Sequence, residues 1–93
     1  MRLLFTWVEA SPYPALMAVS VPKRLYKRAV DRNLLKRRIR EAYRRQKPDF
    51  YQALSEREAH LEMVIQYRGR KILDYREIET ALRELLERVV REG

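Results

Sequence analysis

The hydrophobic period of this chain changes from two to that of a helix and back, and that order of periods restricts it to a small mixed α and β fold. Arg2 to Glu9 packs Leu3, Leu4, Phe5, Trp7 and Val8 into eight residues, a run whose length and composition predict a strand buried on both faces. Ala10-Ser11-Pro12-Tyr13-Pro14 follows; its two prolines fix φ and remove backbone donors, so a turn is expected, and with it a hairpin. Ala15 to Val21 reads as the second strand, with Met17, Val19 and Val21 on one face and Leu16, Ala18 and Ser20 on the other.

From Asp31 to about Gln46 the apolar positions are Leu35, Ile39, Ala42 and Tyr43, a helical stripe, and Lys47-Pro48-Asp49 is expected to end that helix. Phe50 to His60 has no decisive pattern. Leu61 to Tyr67, centred on Met63-Val64-Ile65, is a third strand closed by Arg68-Gly69-Arg70. Asp74 and Glu77 have capping-box spacing, and Ile78, Ala81, Leu82, Leu85, Val89 and Val90 then recur at helical intervals, predicting a last helix packed on the sheet. With 93 residues, one core is all the chain can build.

Charge is concentrated rather than spread. Between Pro22 and Arg45 eleven cations face two anions, Asp31 and Glu41, so this segment carries +9 and everything outside it −1 of the chain's +8. On a helix with 100° per residue, Asn33, Lys36, Arg37, Arg40 and Arg44 share a sector beside the apolar stripe, while Arg38 and Arg45 point elsewhere. A solvated face normally mixes signs, as Glu77, Arg83, Glu84, Glu87 and Arg88 of the last helix do. A single-sign row repels itself, which favours a polyanionic partner. The guanidinium fork bonds phosphate oxygens in pairs, and Asn33 can bond phosphate, a 2′-hydroxyl or a base edge.

Other chemistries lack parts. Cysteine is absent and His60 is the sole histidine, so a transition-metal or nucleophilic site has nothing to be built from, and the chain alone is not expected to be an enzyme. The apolar runs are too short to span a bilayer and no secretory signal is evident, so a cytoplasmic protein without a membrane partner is expected. A DNA-reading module would need a second helix ahead of the basic one, where strands are predicted instead. Another RNA-binding or ribosome-associated protein, or a scaffold for an acidic protein, remains an alternative.

The runs Val21-Pro22-Lys23-Arg24, Ala29-Val30-Asp31-Arg32-Asn33 and Lys36-Arg37-Arg38-Ile39-Arg40-Glu41-Ala42-Tyr43-Arg44 resemble the signature of the protein subunit of bacterial ribonuclease P. The likeness extends through Met63-Val64-Ile65 to Tyr75, Ile78, Leu82 and Leu85. Two details depart from the pattern: Leu34 ends the frequent Arg-Asn-Arg triplet, and no glycine precedes Ala29-Val30. The family's N-terminal helix has no counterpart, so residues 1–93 are expected to be one ribonuclease P-type RNA-binding domain without it.

The resemblance implies an α+β two-layer sandwich, a small mixed sheet with helices and a left-handed β-α-β crossover, like domain 2 of ribosomal protein S5. It implies an endoribonuclease whose catalytic RNA carries the chemistry with Mg²⁺, and precursor tRNA as substrate. RNA contacts are expected from Lys23, Arg24, Arg28, Arg32, Asn33, Lys36, Arg37, Arg40 and Arg44. Ser20 is expected at the cleft for the 5′ leader, and Phe5, Trp7 and Tyr13 could stack leader bases, although at strand spacing Phe5 and Trp7 are more often core residues. Tyr67, Arg68 and Arg70 could extend the RNA surface.

Overall fold

A computed structural model describes residues 1–92. The elements are β1 (Arg2–Val8), β2 (Ala15–Ser20), α1 (Ala29–Glu56), β3 (His60–Gln66) and α2 (Tyr75–Glu92). The expected hairpin does not form. β3 lies between the other two strands, antiparallel to β1 and parallel to β2, so β2, α1 and β3 make a β-α-β unit. The prolines of the β1–β2 connection turn the chain without pairing the strands it joins, because β3 offers both of them an apolar partner.

Register sorts the side chains. Leu3, Phe5 and Trp7 pair with Ile65, Met63 and Leu61, and Ala15, Met17 and Val19 pair with Leu61, Met63 and Ile65, so the odd-numbered residues share the core face. Leu61, Met63 and Ile65 are buried there in one cluster with residues of both helices. The even-numbered face has no helix over it: Leu4 is 40% and Leu16 43% exposed. β1 is therefore half-buried rather than enclosed on both sides.

α1 runs ten residues beyond its expected end, with Pro48 inside it. The proline has no N–H to give Arg44's carbonyl and crowds that turn, yet Phe50 and Leu54 continue the buried stripe of Ile39 and Tyr43. Burial of two more large side chains, about 1.5–3 kcal/mol each, outweighs the interruption. Phe50 meets the Tyr43 ring edge-on at 6.3 Å. A Schellman motif closes the helix: Ala59 N–H donates to Leu54 O and Glu58 N–H to Ser55 O, both at 3.0 Å. Glu58 holds φ at +52°, the left-handed conformation this motif requires.

α2 begins at the capping box read from the sequence, with Glu77 N–H donating to Asp74 Oδ1 at 2.8 Å and Asp74 N–H to Glu77 Oε2 at 3.0 Å. It buries Ile78, Leu82, Leu86 and Val89. Its backbone runs beside α1 rather than on the strands, correcting the expected packing on the sheet. Gln46 of α1 ties the pair together by donating to Glu79 O. α1 in turn is anchored to β2, where Tyr51 Oη donates to Ala15 O at 2.8 Å.

Candidate nucleic-acid interface

The sheet and α2 take up α1's apolar stripe and its far flank, which leaves the cationic sector facing solvent. Asn33, Arg37 and Arg40 are exposed and Lys36 is half-buried. Lys36 and Arg37 each lie three or four residues from Asn33 on one side and from Arg40 on the other, about one turn either way and near 5–6 Å between Cβ atoms. None of these four side chains has a hydrogen-bonding or ionic partner among the described residues. The row is brought together and left open.

Two of the expected contacts are partly engaged within the chain. Arg44 forks onto Glu41, Nη2 to Oε1 at 2.7 Å and Nε to Oε2 at 3.0 Å, and Arg45 Nε reaches the same carboxylate at 3.3 Å. The hydrogen bonds from Arg44, with Arg45 adding to them, hold the Glu41 carboxyl below the usual carboxylate range, and the partnership raises Arg44 in turn. The Arg45 guanidinium also lies 5.5 Å from the centroid of the Tyr75 ring. Arg32 spends Nη1 on the carbonyls of Tyr26 and Lys27, at 2.8 and 2.9 Å, and so braces the loop entering the helix. Its other guanidinium nitrogens keep their donors.

Lys23, Arg24 and Arg28 are exposed in that loop, Arg28 at the N-cap of α1, where its side chain makes no capping bond. The loop is folded by Leu25 and Tyr26 N–H groups donating to Pro22 O. Arg38, set apart by the helical wheel, donates to Leu73 O at 2.6 Å on the flank away from the row.

The three leader-cleft candidates do not converge. Ser20 lies on the open sheet face, paired in register with Gln66 of β3, which separates it from Arg2 of β1. Phe5 and Trp7 project from the core face; their rings meet edge-on at 5.6 Å, and Phe5 packs against the core. Period-two counting could have separated Ser20 from them only with the register of β3 in hand. Leu4 and Leu16 are exposed on the same face as Ser20, although each is apolar enough to read as core from sequence. Tyr13, in the β1–β2 loop, is 55% exposed. Tyr67 is buried and is a structural residue: its hydroxyl donates to Lys71 O and accepts Leu73 N–H at 3.0 Å.

No group of three or more His, Cys, Asp or Glu side chains among the described residues could hold a metal ion. No helix among them is long and apolar enough to cross a membrane.

A sequence model of the family described as Ribonuclease P matches residues 2–90. The chain belongs to the ribonuclease P family. Two relatives, each named "Ribonuclease P protein component" and from two strains of Porphyromonas gingivalis, are 37% identical over 73 residues. The alignment takes in 78% of this chain and 53% of each relative, so the chain spans about half the length of the curated relatives it matches. No solved structure matches it. The α+β sandwich with a mixed three-stranded sheet and two helices is the architecture expected from the ribonuclease P signature.

Proposed function

We propose that this chain is an RNA-binding protein subunit of ribonuclease P, acting in a cytoplasmic ribonucleoprotein in which a catalytic RNA cleaves the 5′ leader from precursor tRNA. The observation that carries the reading is the unpaired row of Asn33, Lys36, Arg37 and Arg40, presented to solvent on one flank of α1 beside its buried apolar stripe. Such a row binds phosphates with release of counterions and adds affinity without reading sequence. Arg28, Arg24 and Lys23 would extend it around the start of α1, and Arg32 and Arg44 would contribute the donors their internal bonds leave free.

The open face of the sheet supports a place for the leader. Leu4, Leu16 and Ala18 offer an apolar floor of exposed carbon, with Arg2, Ser20 and Gln66 supplying polar groups at one end and Thr6 and Glu62 lying at the other. An unpaired strand could lie there with its bases on the floor and its phosphates toward the cations. The protein's contribution to rate would be positional and electrostatic, and the Mg²⁺ would be held by RNA.

Reconstitution tests this. With a ribonuclease P RNA and precursor tRNA at low Mg²⁺, adding the chain is expected to raise leader cleavage, and duplex DNA is expected to compete poorly for binding. No stimulation together with a preference for duplex DNA would overturn the reading.

A further inference from the structure

The near-neutral sum outside Pro22–Arg45 conceals a second concentration of charge. Acids spread over the rest of the chain offset the remaining cations in the sum, whereas Arg68, Arg70 and Lys71 stand together in the β3–α2 connection with no acid between Tyr67 and Leu73. All three are exposed, and none is within ion-pair distance of a carboxylate among the described residues.

Three repelling cations in a solvent-facing connection would ordinarily favour a mobile segment. Here the backbone between them is held at several points. Tyr67, buried beneath the turn, bonds both Lys71 O and Leu73 N–H through its hydroxyl. Tyr26, also buried, donates its hydroxyl to Gly69 O at 2.5 Å, and the two tyrosine rings meet edge-on at 5.7 Å. Burial and the neighbouring Tyr67 hydroxyl raise the Tyr26 phenol above its ordinary value, so it remains a donor throughout the neutral range. Arg38 fixes Leu73 O from the helix.

These tethers also say where the turn lies. Arg38 stands two residues before Arg40, about 160° around the helix from it, so the β3–α2 connection is fastened on the flank opposite the arginine row. Between the two flanks runs the Pro22–Arg28 loop, with Lys23, Arg24, Lys27 and Arg28 exposed. Tyr26 joins it to the turn and Arg32 joins it to α1. Cations therefore continue around the start of α1 from one flank to the other.

We infer that Arg68, Arg70 and Lys71 form a second phosphate-contacting patch, preset by the Tyr26–Tyr67 pair, that holds a different stretch of the RNA bound by the α1 row. The inference rests on the RNA-binding reading of that row and adds to it a second contact on the opposite flank. An ordered, single-sign, unpartnered cluster suits a polyanion because the repulsion is already present in the free protein and is relieved on contact.

Two measurements test it on the folded chain, with a ribonuclease P RNA transcript as the probe. The chain lacks cysteine, so Arg70→Cys and Arg37→Cys each create one attachment point for an iron chelate that cuts nearby RNA. Two non-overlapping sets of cuts are expected. Strong cuts from position 37 with none from position 70, or one shared set, would overturn the second patch. In binding titrations, joint replacement of Arg68, Arg70 and Lys71 by Ala should flatten the slope of log affinity against log salt by about 2, at roughly 0.7 per single-stranded phosphate contact. Arg37→Ala/Arg40→Ala is the reference. A slope altered only in the reference refutes the patch, and a slope altered in neither refutes the RNA-binding reading beneath it.

Discussion

Glu41 is the one carboxylate within ion-pair distance of an α1 arginine among the described residues, and replacing it with Gln should tighten RNA binding. In the free protein it accepts two hydrogen bonds from Arg44 and one from Arg45. Its carboxyl is held below the ordinary range by those bonds, so at neutral pH it is fully charged and the grip on both guanidinium groups is intact. Glu41→Gln removes one negative charge beside the row and frees Arg44, and with a rotation Arg45, to meet phosphate. Each newly neutralised phosphate steepens the salt dependence by about 0.7 in single-stranded and 0.9 in duplex regions, so a steepening of about 0.7–1.8 is expected. The side chains of Arg44 and Arg45 are 68% and 60% exposed, so the fold should hardly notice the loss of the pairs. Filter-binding or fluorescence titrations at four or five salt concentrations would measure the slope, with circular dichroism to follow the fold. A slope unchanged or shallower, in a variant that melts like the parent, would refute the placement of this flank against RNA.

Three further predictions concern the fold that carries the site. Pro48→Ala restores a donor to the interior of α1 and should stabilise the chain by about 1–3 kcal/mol in chemical denaturation; a loss of stability would mean the helix does not continue through this position. Phe50→Ala, which empties a buried position between the helices, should cost about 3 kcal/mol, and a cost under about 1 kcal/mol would contradict the packing of α2 on α1. Tyr67→Phe leaves Leu73 N–H without its acceptor and should cost about 1–3 kcal/mol while speeding hydrogen exchange at Leu73; unchanged exchange there would show that the turn is held by other means.

Much of this was legible along the chain because the relevant forces are local. The strands, the Asp74–Glu77 cap and the cationic sector of α1 follow from spacing alone, and the structure places them within a residue or two of where the sequence does. Pairing was not legible: nothing in Ala10–Pro14 tells β1 and β2 that β3, about forty residues on, will come between them. The end of α1 differs from the one Pro48 suggests because burial of Phe50 and Leu54, whose spacing continues the stripe of Tyr43, outweighs the proline's local penalty. At the site, identity was readable and employment was not. Arg32, Arg38 and Arg44 look alike in sequence, yet one braces a loop, one pins Leu73 O and one pairs with Glu41. The same limit hid the fixed turn of Arg68 to Lys71, whose order comes from tyrosines that read as ordinary aromatic residues.

The measurement that bears most directly on the central claim is the salt dependence of ribonuclease P RNA binding for Arg37→Ala/Arg40→Ala beside the parent chain. Both side chains are exposed and unpaired, so the variant should melt as the parent does while binding more weakly, with a slope shallower by about 1.4 for two lost single-strand phosphate contacts. Equal affinity and equal slope in the two proteins would mean that RNA does not lie along this helix.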